Sequence, residues 1–267
     1  MKFIKTNLKF IVPGAILLII LAWMFWPSKK TKTETQAPTK KLEEINKVAI
    51  ADRPYVTLTP RADGKEVTMA ISRVKDATKV EYEMEYQAES LIQGVFGTIN
   101  FGDEPLPVEK SLLFGSCSKD KCRYDEGVTG GSLTMRFDGG KEAYALKSEF
   151  NLQQQFDRDG VYTSKDSRAT LTVGKTGLPN NTFVLISGTM GLPADVDGEV
   201  LAGPYSFLAA SSPTLKNATL TIQSKDDLTG ARLMFWDGKT LTDLKAEISD
   251  GKISAPVTGL GTFVVVK

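Results

Sequence analysis

Apolar and polar residues alternate with a period of two along most of this chain after Tyr55. In the clearest run, residues 79–87 (KVEYEMEYQ), the even-numbered positions are apolar or aromatic and the odd-numbered positions from Lys79 to Glu85 are charged. Successive side chains of a strand point to opposite faces, whereas a helix would scatter these residues around its circumference. The pattern therefore predicts a strand with one buried face and one solvated face.

Similar short runs follow at intervals set by turn residues such as Asp63-Gly64 and Gly130-Gly131. No stretch between them has the ten or more residues of helical pattern that a parallel crossover needs, so parallel α/β folds are excluded. The predicted fold is all-β, with two tandem antiparallel β-sandwich domains of the immunoglobulin or fibronectin-like kind after one N-terminal transmembrane helix. The further predicted strands are 56–59, 67–71, 95–101, 112–117, 133–137, 144–152, 169–173, 183–187, 199–201, 205–208, 218–223, 231–236, 241–248, 252–257 and 262–266.

Changes in composition divide the chain into segments. Residues 27–53 are rich in Lys, Thr, Glu, Pro and Gln, which is typical of a flexible stalk, and a Gly, Pro and Asn cluster near 174–181 predicts a linker. The predicted organisation is a basic flank at 1–9, a transmembrane helix at 10–26, a stalk at 27–53, a first sandwich at 54–174, a linker at 175–181 and a second sandwich at 182–267.

The membrane anchor is predicted from 17 consecutive uncharged residues at 10–26, flanked by lysines on both sides. As a helix this stretch is about 25 Å long, near the short end of what crosses a hydrocarbon core. Phe10 begins it, and Trp23 and Trp26 at its other end have the side chains that favour the membrane interface. The alternative is a cleaved signal peptide, but large aromatic residues stand where a small-x-small cleavage site is needed.

The charges are divided unevenly between the two ends of the chain. The whole sequence has 33 basic and 32 acidic residues, but residues 1–50 hold 9 Lys and 3 Glu, so the remainder is mildly acidic. Basic residues next to a membrane span favour anionic lipid headgroups, and an acidic body without a basic patch argues against nucleic acid as a partner. Three lysines on each side of the span leave its orientation undecided.

Cys117 and Cys122 are the only cysteines and are separated by four polar residues, which favours a disulfide across a hairpin. Closing so small a ring contributes about 2 kcal/mol in an oxidising compartment, which places the body outside the cytoplasm. Free thiols or a metal site are the alternative. A zinc site would need two more ligands, and the chain has no His.

Two stretches resemble known kinds of protein. Residues 232–244 (RLMFWDGKTLTDL), 250–257 (DGKISAPV) and 261–265 (GTFVV), with 203–207 and 218–222 before them, resemble the last strands of ZU5-like and fibronectin-like surface β-sandwiches. Residues 81–86, 115–122 and 130–137 resemble uncharacterised bacterial single-anchor envelope proteins. The first resemblance implies a binding or load-bearing module, and neither supplies a catalytic residue.

Candidate chemistry is sparse. Asp157 and Asp159, and likewise Asp195 and Asp197, form Asp-x-Asp-Gly sequences that are weak candidates for calcium ligands. The other ligands of an EF-hand loop are not in register, so ordinary tight turns are favoured and no metal or cofactor is predicted. Without His, the commonest general base and the Ser-His and Cys-His systems are absent.

These observations predict a membrane-anchored extracytoplasmic protein that is not an enzyme. Its work would be binding, adhesion or a structural role in the cell envelope, with the membrane and an envelope polymer or protein as partners. The alternative is an envelope hydrolase or protease with an unrecognised carboxylate or Ser-Lys site. Two carboxylates converging in a deep cleft would favour the alternative.

Overall fold

The computed structural model describes residues 44–103, 105–119 and 121–267. Glu43 to Lys267 belong to one compact unit, and the described parts of it confirm the predicted all-β class. Their helical structure is a 3-10 turn at Ile50–Asp52 and the one-turn helix α1 (Gln155–Arg158). The strands are β1 (Tyr55–Pro60), β2 (Glu66–Ser72), β3 (Lys79–Ala88), β4 (Leu91–Asn100), β5 (Val108–Leu113), β6 (Gly115–Ser118), β7 (Lys121–Tyr124), β8 (Val128–Asp138), β9 (Tyr144–Gln154), β10 (Val161–Thr163), β11 (Ala169–Thr172), β12 (Phe183–Gly188), β13 (Val200–Leu208), β14 (Ala218–Gln223), β15 (Arg232–Trp236), β16 (Leu241–Leu244), β17 (Glu247–Ser249), β18 (Lys252–Val257) and β19 (Gly261–Val266).

A single nine-stranded antiparallel sheet runs through the unit in the order β16-β15-β19-β13-β12-β9-β8-β3-β4. A three-stranded sheet, β1-β2-β5, and a five-stranded sheet, β10-β11-β14-β18-β17, lie against it, and β6-β7 form a separate hairpin. We call these the long sheet, the three-stranded sheet, the five-stranded sheet and the disulfide hairpin.

The two smaller sheets cover opposite faces of the long sheet. Strand β12 makes this clear, because Val184 and Ile186 belong to the core with the five-stranded sheet, while Leu185 between them belongs to the core with the three-stranded sheet. Alternate side chains of a strand point to opposite faces, so the two cores lie on different sides. Both contain fully buried aromatic rings, Phe207 and Phe263 in the first and Phe137 and Phe150 in the second.

Several predicted strands have different limits in the structure. The strand predicted at 112–117 is divided at Phe114, whose buried side chain separates β5 from β6. The strand predicted at 241–248 is also two strands, and β16 belongs to the long sheet while β17 belongs to the five-stranded sheet. The segments predicted at 199–201 and 205–208 are one strand, β13, whose pairing with β19 shifts in register on either side of Ala202.

Hydrogen bonds cross the linker predicted at 175–181. Strand β12 pairs with β9 over five residue pairs from Phe183↔Gln154 to Ser187↔Phe150, so the long sheet continues through the predicted boundary. Strand β11 pairs with β14, which places residues 169–172 in the same core as the strands after the linker. The limits of 54–174 and 182–267 as folding domains stay a prediction.

The last ten residues of the predicted stalk, 44–53, lie along the body. The pairing of β12 with β9 ends at Ser187↔Phe150, and nearer the start of β9 its partner is Asn46. The Asn46 N–H donates to the Ala145 carbonyl at 2.9 Å, and the Asn46 side chain makes two 3.0 Å hydrogen bonds with the Lys147 backbone. Arg53 holds the segment by donating to the Val48 and Asn46 carbonyls. The chain therefore joins the body beside the start of β9.

Candidate functional site

Among the described residues, no second sheet packs on the side of β9, β8, β3 and β4 that faces away from the three-stranded sheet. On its opposite side these strands pack against the three-stranded sheet, which accounts for their buried apolar residues. The uncovered side carries the charged positions of β3 together with Arg136 and Phe96. We call this side the open face.

Charges on the open face are partly paired. Lys79 Nζ lies 2.6 Å from the Glu81 carboxylate, and Arg136 lies 3.4 Å from Glu83. The paired side chains are 35–54% exposed, so solvent screens each ion pair and the pair contributes little to stability. The solvated face predicted for β3 is therefore present, and Glu81, Glu83 and Glu85 form an acidic row along it.

Strand β4 forms one outer edge of the long sheet and borders the open face. Its ten residues (LIQGVFGTIN) include no charged side chain. Phe96 is 83% exposed, Ile92 73% and Leu91 61%, and Ile92 and Phe96 share the face that bears the acidic row. An edge strand leaves a row of backbone N–H and C=O groups unpaired, and exposed apolar side chains beside that row favour pairing with another chain.

A shallow cleft of about 130 Å³ lies where the open face meets the loop between β10 and β11. Two side chains of β9 bring that loop to the long sheet: Asn151 donates to the Thr163 carbonyl at 2.9 Å, and the Gln153 oxygen accepts from the Thr163 N–H at 3.0 Å. The cleft is lined by Ser148, Glu149, Ser164, Lys165, Asp166, Gly188 and Tyr205.

Asp166 connects the β10-β11 loop to strand β13 through its hydrogen bonds. Its carboxylate accepts hydrogen bonds from the Ser164 hydroxyl at 2.6 Å, the Tyr205 hydroxyl at 2.7 Å and the Arg168 N–H at 3.1 Å. Partial desolvation acts to raise the pKa of Asp166, but these three hydrogen bonds outweigh it and the pKa lies below its ordinary value. Desolvation and the neighbouring carboxylate together raise the pKa of Tyr205. At neutral pH the pair is a carboxylate bound to a neutral phenol.

The predicted disulfide is present between Cys117 and Cys122, which lie directly opposite each other in the β6-β7 hairpin. The hairpin is exposed. At its base, the ring of Tyr124 lies below the cations of Arg61 and Lys65, at 5.5 and 5.0 Å from the ring centre. This arrangement joins the hairpin to the turn between β1 and β2.

The four aspartates considered as calcium ligands lie in two separate places. Asp157 belongs to α1, and Asp159 follows it in a left-handed turn with its carboxylate 3.5 Å from Lys175. Asp195 pairs with Arg73, and the Asp197 carbonyl accepts from Arg232. Within the described ranges, no three His, Cys, Asp or Glu side chains come together in a way that could hold a metal ion.

The residues proposed to anchor the chain in the membrane, Phe10, Trp23 and Trp26, lie outside the described residues. The same holds for the basic flank at 1–9, the helix at 10–26 and the first part of the stalk. In the part of the chain that the structure describes, no helix is long and apolar enough to cross a membrane.

Comparison with protein families and with curated proteins gives no relative from which a function can be transferred. No protein-family model matches the chain, and no curated protein matches it significantly. The open face, the β4 edge and the cleft are therefore the features of the molecule that bear on its function.

Sequence patterns missed two of these features. Gly94 interrupts the apolar alternation of β4, so the sequence predicts a strand only from Val95, and residues 91–94 are added by the structure. The cleft joins Asp166 to Tyr205 across 39 residues, and no local pattern indicates that pairing. The lack of charge over residues 91–100 was the one available signal for the edge.

Proposed function

We propose that this chain is a single-pass membrane protein whose body lies outside the cytoplasm and acts as a non-enzymatic binding or envelope-structural module. A helix at 10–26 anchors it, and two tandem β-sandwich domains present the binding surface. Its partners are the membrane and a protein or polymer of the envelope, not nucleic acid. The resemblances to single-anchor envelope proteins and to ZU5-like and fibronectin-like sandwiches agree with this proposal.

The β4 edge is the observation that carries the binding function. Phe96 and Ile92 expose most of their apolar surface to water, which costs free energy that contact with a partner would recover. The free backbone groups of an edge strand add directional hydrogen bonds to that contact. A partner that supplies a strand or an apolar surface would satisfy both features together.

The disulfide hairpin supports a location outside the cytoplasm. Cys117 and Cys122 are exposed, so glutathione in a reducing compartment would reach the bond. The two cores, each enclosed between the long sheet and a smaller sheet, support the tandem sandwich arrangement.

Among the described residues, the cleft around Asp166 is the candidate site for the alternative function, an envelope hydrolase or protease. A general base works best with a pKa near the operating pH, and hydrogen bonds lower the pKa of Asp166 instead. The Ser164 hydroxyl donates to this weakly basic carboxylate and accepts from the Ala169 N–H. These contacts favour a structural role for the cleft, and hence the binding function.

Photo-crosslinking in native membranes tests the proposed function. A photo-reactive residue is introduced at position 96 of the full chain, and a matched control has it at position 156, because Phe156 is 72% exposed on α1, away from β4. We expect adducts from position 96 and none from position 156. Equal yields at both positions, or none at position 96, would contradict binding through β4.

The proposed location is tested separately with the same cells. The chain should stay with the membrane after alkaline carbonate washing, and its two thiols should react with a blocking reagent only after reduction. A body that is digested by protease in intact or outer-membrane-permeabilised cells supports the extracytoplasmic orientation. Survival of the body while an envelope marker is digested would overturn that orientation.

A further inference from the structure

The edges of the sheets differ in how they are protected from pairing. Strand β16, at the other end of the long sheet, has four residues and includes Asp243. The edge strands of the five-stranded sheet, β10 and β17, have three residues each. In the three-stranded sheet, β5 carries Glu109 and Lys110, and β1 ends at Pro60. Short length, charge and proline are the usual devices that keep an edge from pairing.

Strand β4 differs from the other edge strands that the structure describes, because it is neither short nor charged and contains no proline. It is ten residues long and uncharged, and three of its large apolar side chains, Leu91, Ile92 and Phe96, are exposed. An edge left open beside edges that are closed is typical of a surface that pairs with a specific partner.

The sequence of β4 is complementary to itself when two copies run antiparallel. If Gly94 of one copy lies opposite Gly94 of the other, a residue two positions before Gly94 lies opposite the residue two positions after it. Ile92 of each copy then lies opposite Phe96 of the other. An aromatic residue opposite a β-branched one is a favourable cross-strand pair. The two-fold axis makes both pairs equivalent.

Charge and geometry permit the same arrangement. The acidic row lies on β3, one strand in from the edge, so two copies would hold their rows about 14 Å apart, three strand spacings. This exceeds the Debye length of about 8 Å at physiological ionic strength, so repulsion between the rows is largely screened. Pairing at β4 uses this edge in both copies, and the short charged β16 at the far end does not extend the assembly.

We propose that β4 pairs antiparallel with β4 of a second copy of this chain, centred on Gly94, so that the long sheets of two copies join into one continuous sheet. This inference rests on the proposed function, because it names the partner that the β4 edge binds. The pairing buries Ile92 and Phe96 of both copies and gives the free backbone groups of the edge a hydrogen-bonded ladder.

A disulfide placed on the two-fold axis tests the register. A Cβ added to Gly94 would meet the Met84 carbonyl oxygen at 3.5 Å, an ordinary contact, so Gly94→Cys fits the strand. Directly opposite residues of an antiparallel pair have Cα atoms about 4.5–5.5 Å apart, within the range that a disulfide spans. In the matched control Thr98→Cys, the two introduced thiols would lie about 27 Å apart along the strands.

The full chain in mild detergent should therefore form an oxidised dimer with Gly94→Cys and none with Thr98→Cys. The two native cysteines are already bonded to each other and leave the introduced thiol as the reactive one. Crosslinking of both variants, or of neither, would overturn the inference.

Charge swaps test the pairing without a covalent bond. The unmodified chain and the exposed-aromatic control Phe156→Lys should have twice the 29.1 kDa chain mass by light scattering in detergent. Ile92→Lys/Phe96→Lys should be monomeric, because lysines would face each other. Ile92→Lys/Phe96→Glu should recover the dimer, because the lysine at position 92 would face the glutamate at position 96 of the other copy.

The outcomes separate the two proposals. A dimer that persists in Ile92→Lys/Phe96→Lys would mean association through another part of the chain and would overturn the inference. A monomeric chain that is still crosslinked at position 96 to a different envelope component would overturn the second-copy inference and leave the proposed function intact. A monomeric chain with no adduct at position 96 would contradict both.

Discussion

The Tyr55 hydroxyl lies 2.8 Å from the Thr262 hydroxyl, a hydrogen bond between residues 207 positions apart in the chain. It joins β1 of the three-stranded sheet to β19 of the long sheet. Thr262 is 1% exposed, so this contact satisfies a polar group that water does not reach. The first and last strands therefore hold each other in place.

Replacing this tyrosine should lower the stability of the whole body. Tyr55→Phe leaves the Thr262 hydroxyl buried without its partner, at a cost of about 1–3 kcal/mol. Chemical denaturation should show a lower midpoint with an unchanged slope. Tyr82→Phe is the matched control, since it removes the hydroxyl of another partly buried tyrosine, packed against the core with the three-stranded sheet, without disturbing Thr262. Equal losses in both variants would contradict the role given to this bond.

The contacts of Asp166 predict a stability that depends on pH in the acid range. The folded pKa lies below the unfolded value near 3.8, so the stabilisation is present above that value and is lost as pH falls through the folded pKa. Asp166→Asn should cost no more than about 1 kcal/mol at neutral pH, because solvent screens this exposed group. The difference from the unmodified chain should disappear in acid. A difference that is independent of pH would contradict this assignment.

Partly buried tyrosines predict a loss of stability in alkali. Desolvation is the main cause that raises the pKa of Tyr55 and of Tyr144, each to about 12. Because the folded state resists ionisation, their stabilisation is complete below the ordinary value of 10 and is lost as pH rises toward 12. Tyrosinate absorbance and loss of folded circular dichroism should rise together. Ionisation of these rings near pH 10 in a folded chain would contradict their burial.

Removing the disulfide should loosen the hairpin more than the cores. Cys117→Ser/Cys122→Ser should destabilise the hairpin by about 2 kcal/mol, by the chain-entropy estimate. No described residue between Gly115 and Tyr124 belongs to a core, so amide exchange should accelerate there while the global unfolding midpoint changes little. A large shift of the midpoint without faster exchange in the hairpin would contradict this separation.

Local features of the structure could be predicted from the sequence, but pairings between distant segments could not. The alternation at 79–87 predicts β3 and its solvated glutamates because a period of two is a local property of the chain. The spacing of Cys117 and Cys122 predicts their bond for the same reason. The Tyr55–Thr262 and Asp166–Tyr205 contacts depend on which strands become neighbours, and no residue near either member indicates the other.

The open edge illustrates the same limit at the candidate site. That 91–100 is uncharged can be read from the sequence, but its position at the end of a nine-stranded sheet depends on the whole strand order. In the interior of a sheet, Ile92 and Phe96 would be ordinary packing residues. At the edge of the sheet their side chains are exposed, and this exposure is the main indication of a binding surface.

Hydrogen exchange of β4 in native membranes measures whether a partner protects the backbone amides of this edge. Peptides that cover 91–100 are compared between the full chain in its membrane and the same chain carrying Ile92→Lys/Phe96→Lys, with the disulfide hairpin as an internal reference. We predict slower exchange in β4 of the unmodified chain and equal exchange in the hairpin of both. Equal exchange in β4 of the two chains would contradict an account in which this edge binds a partner.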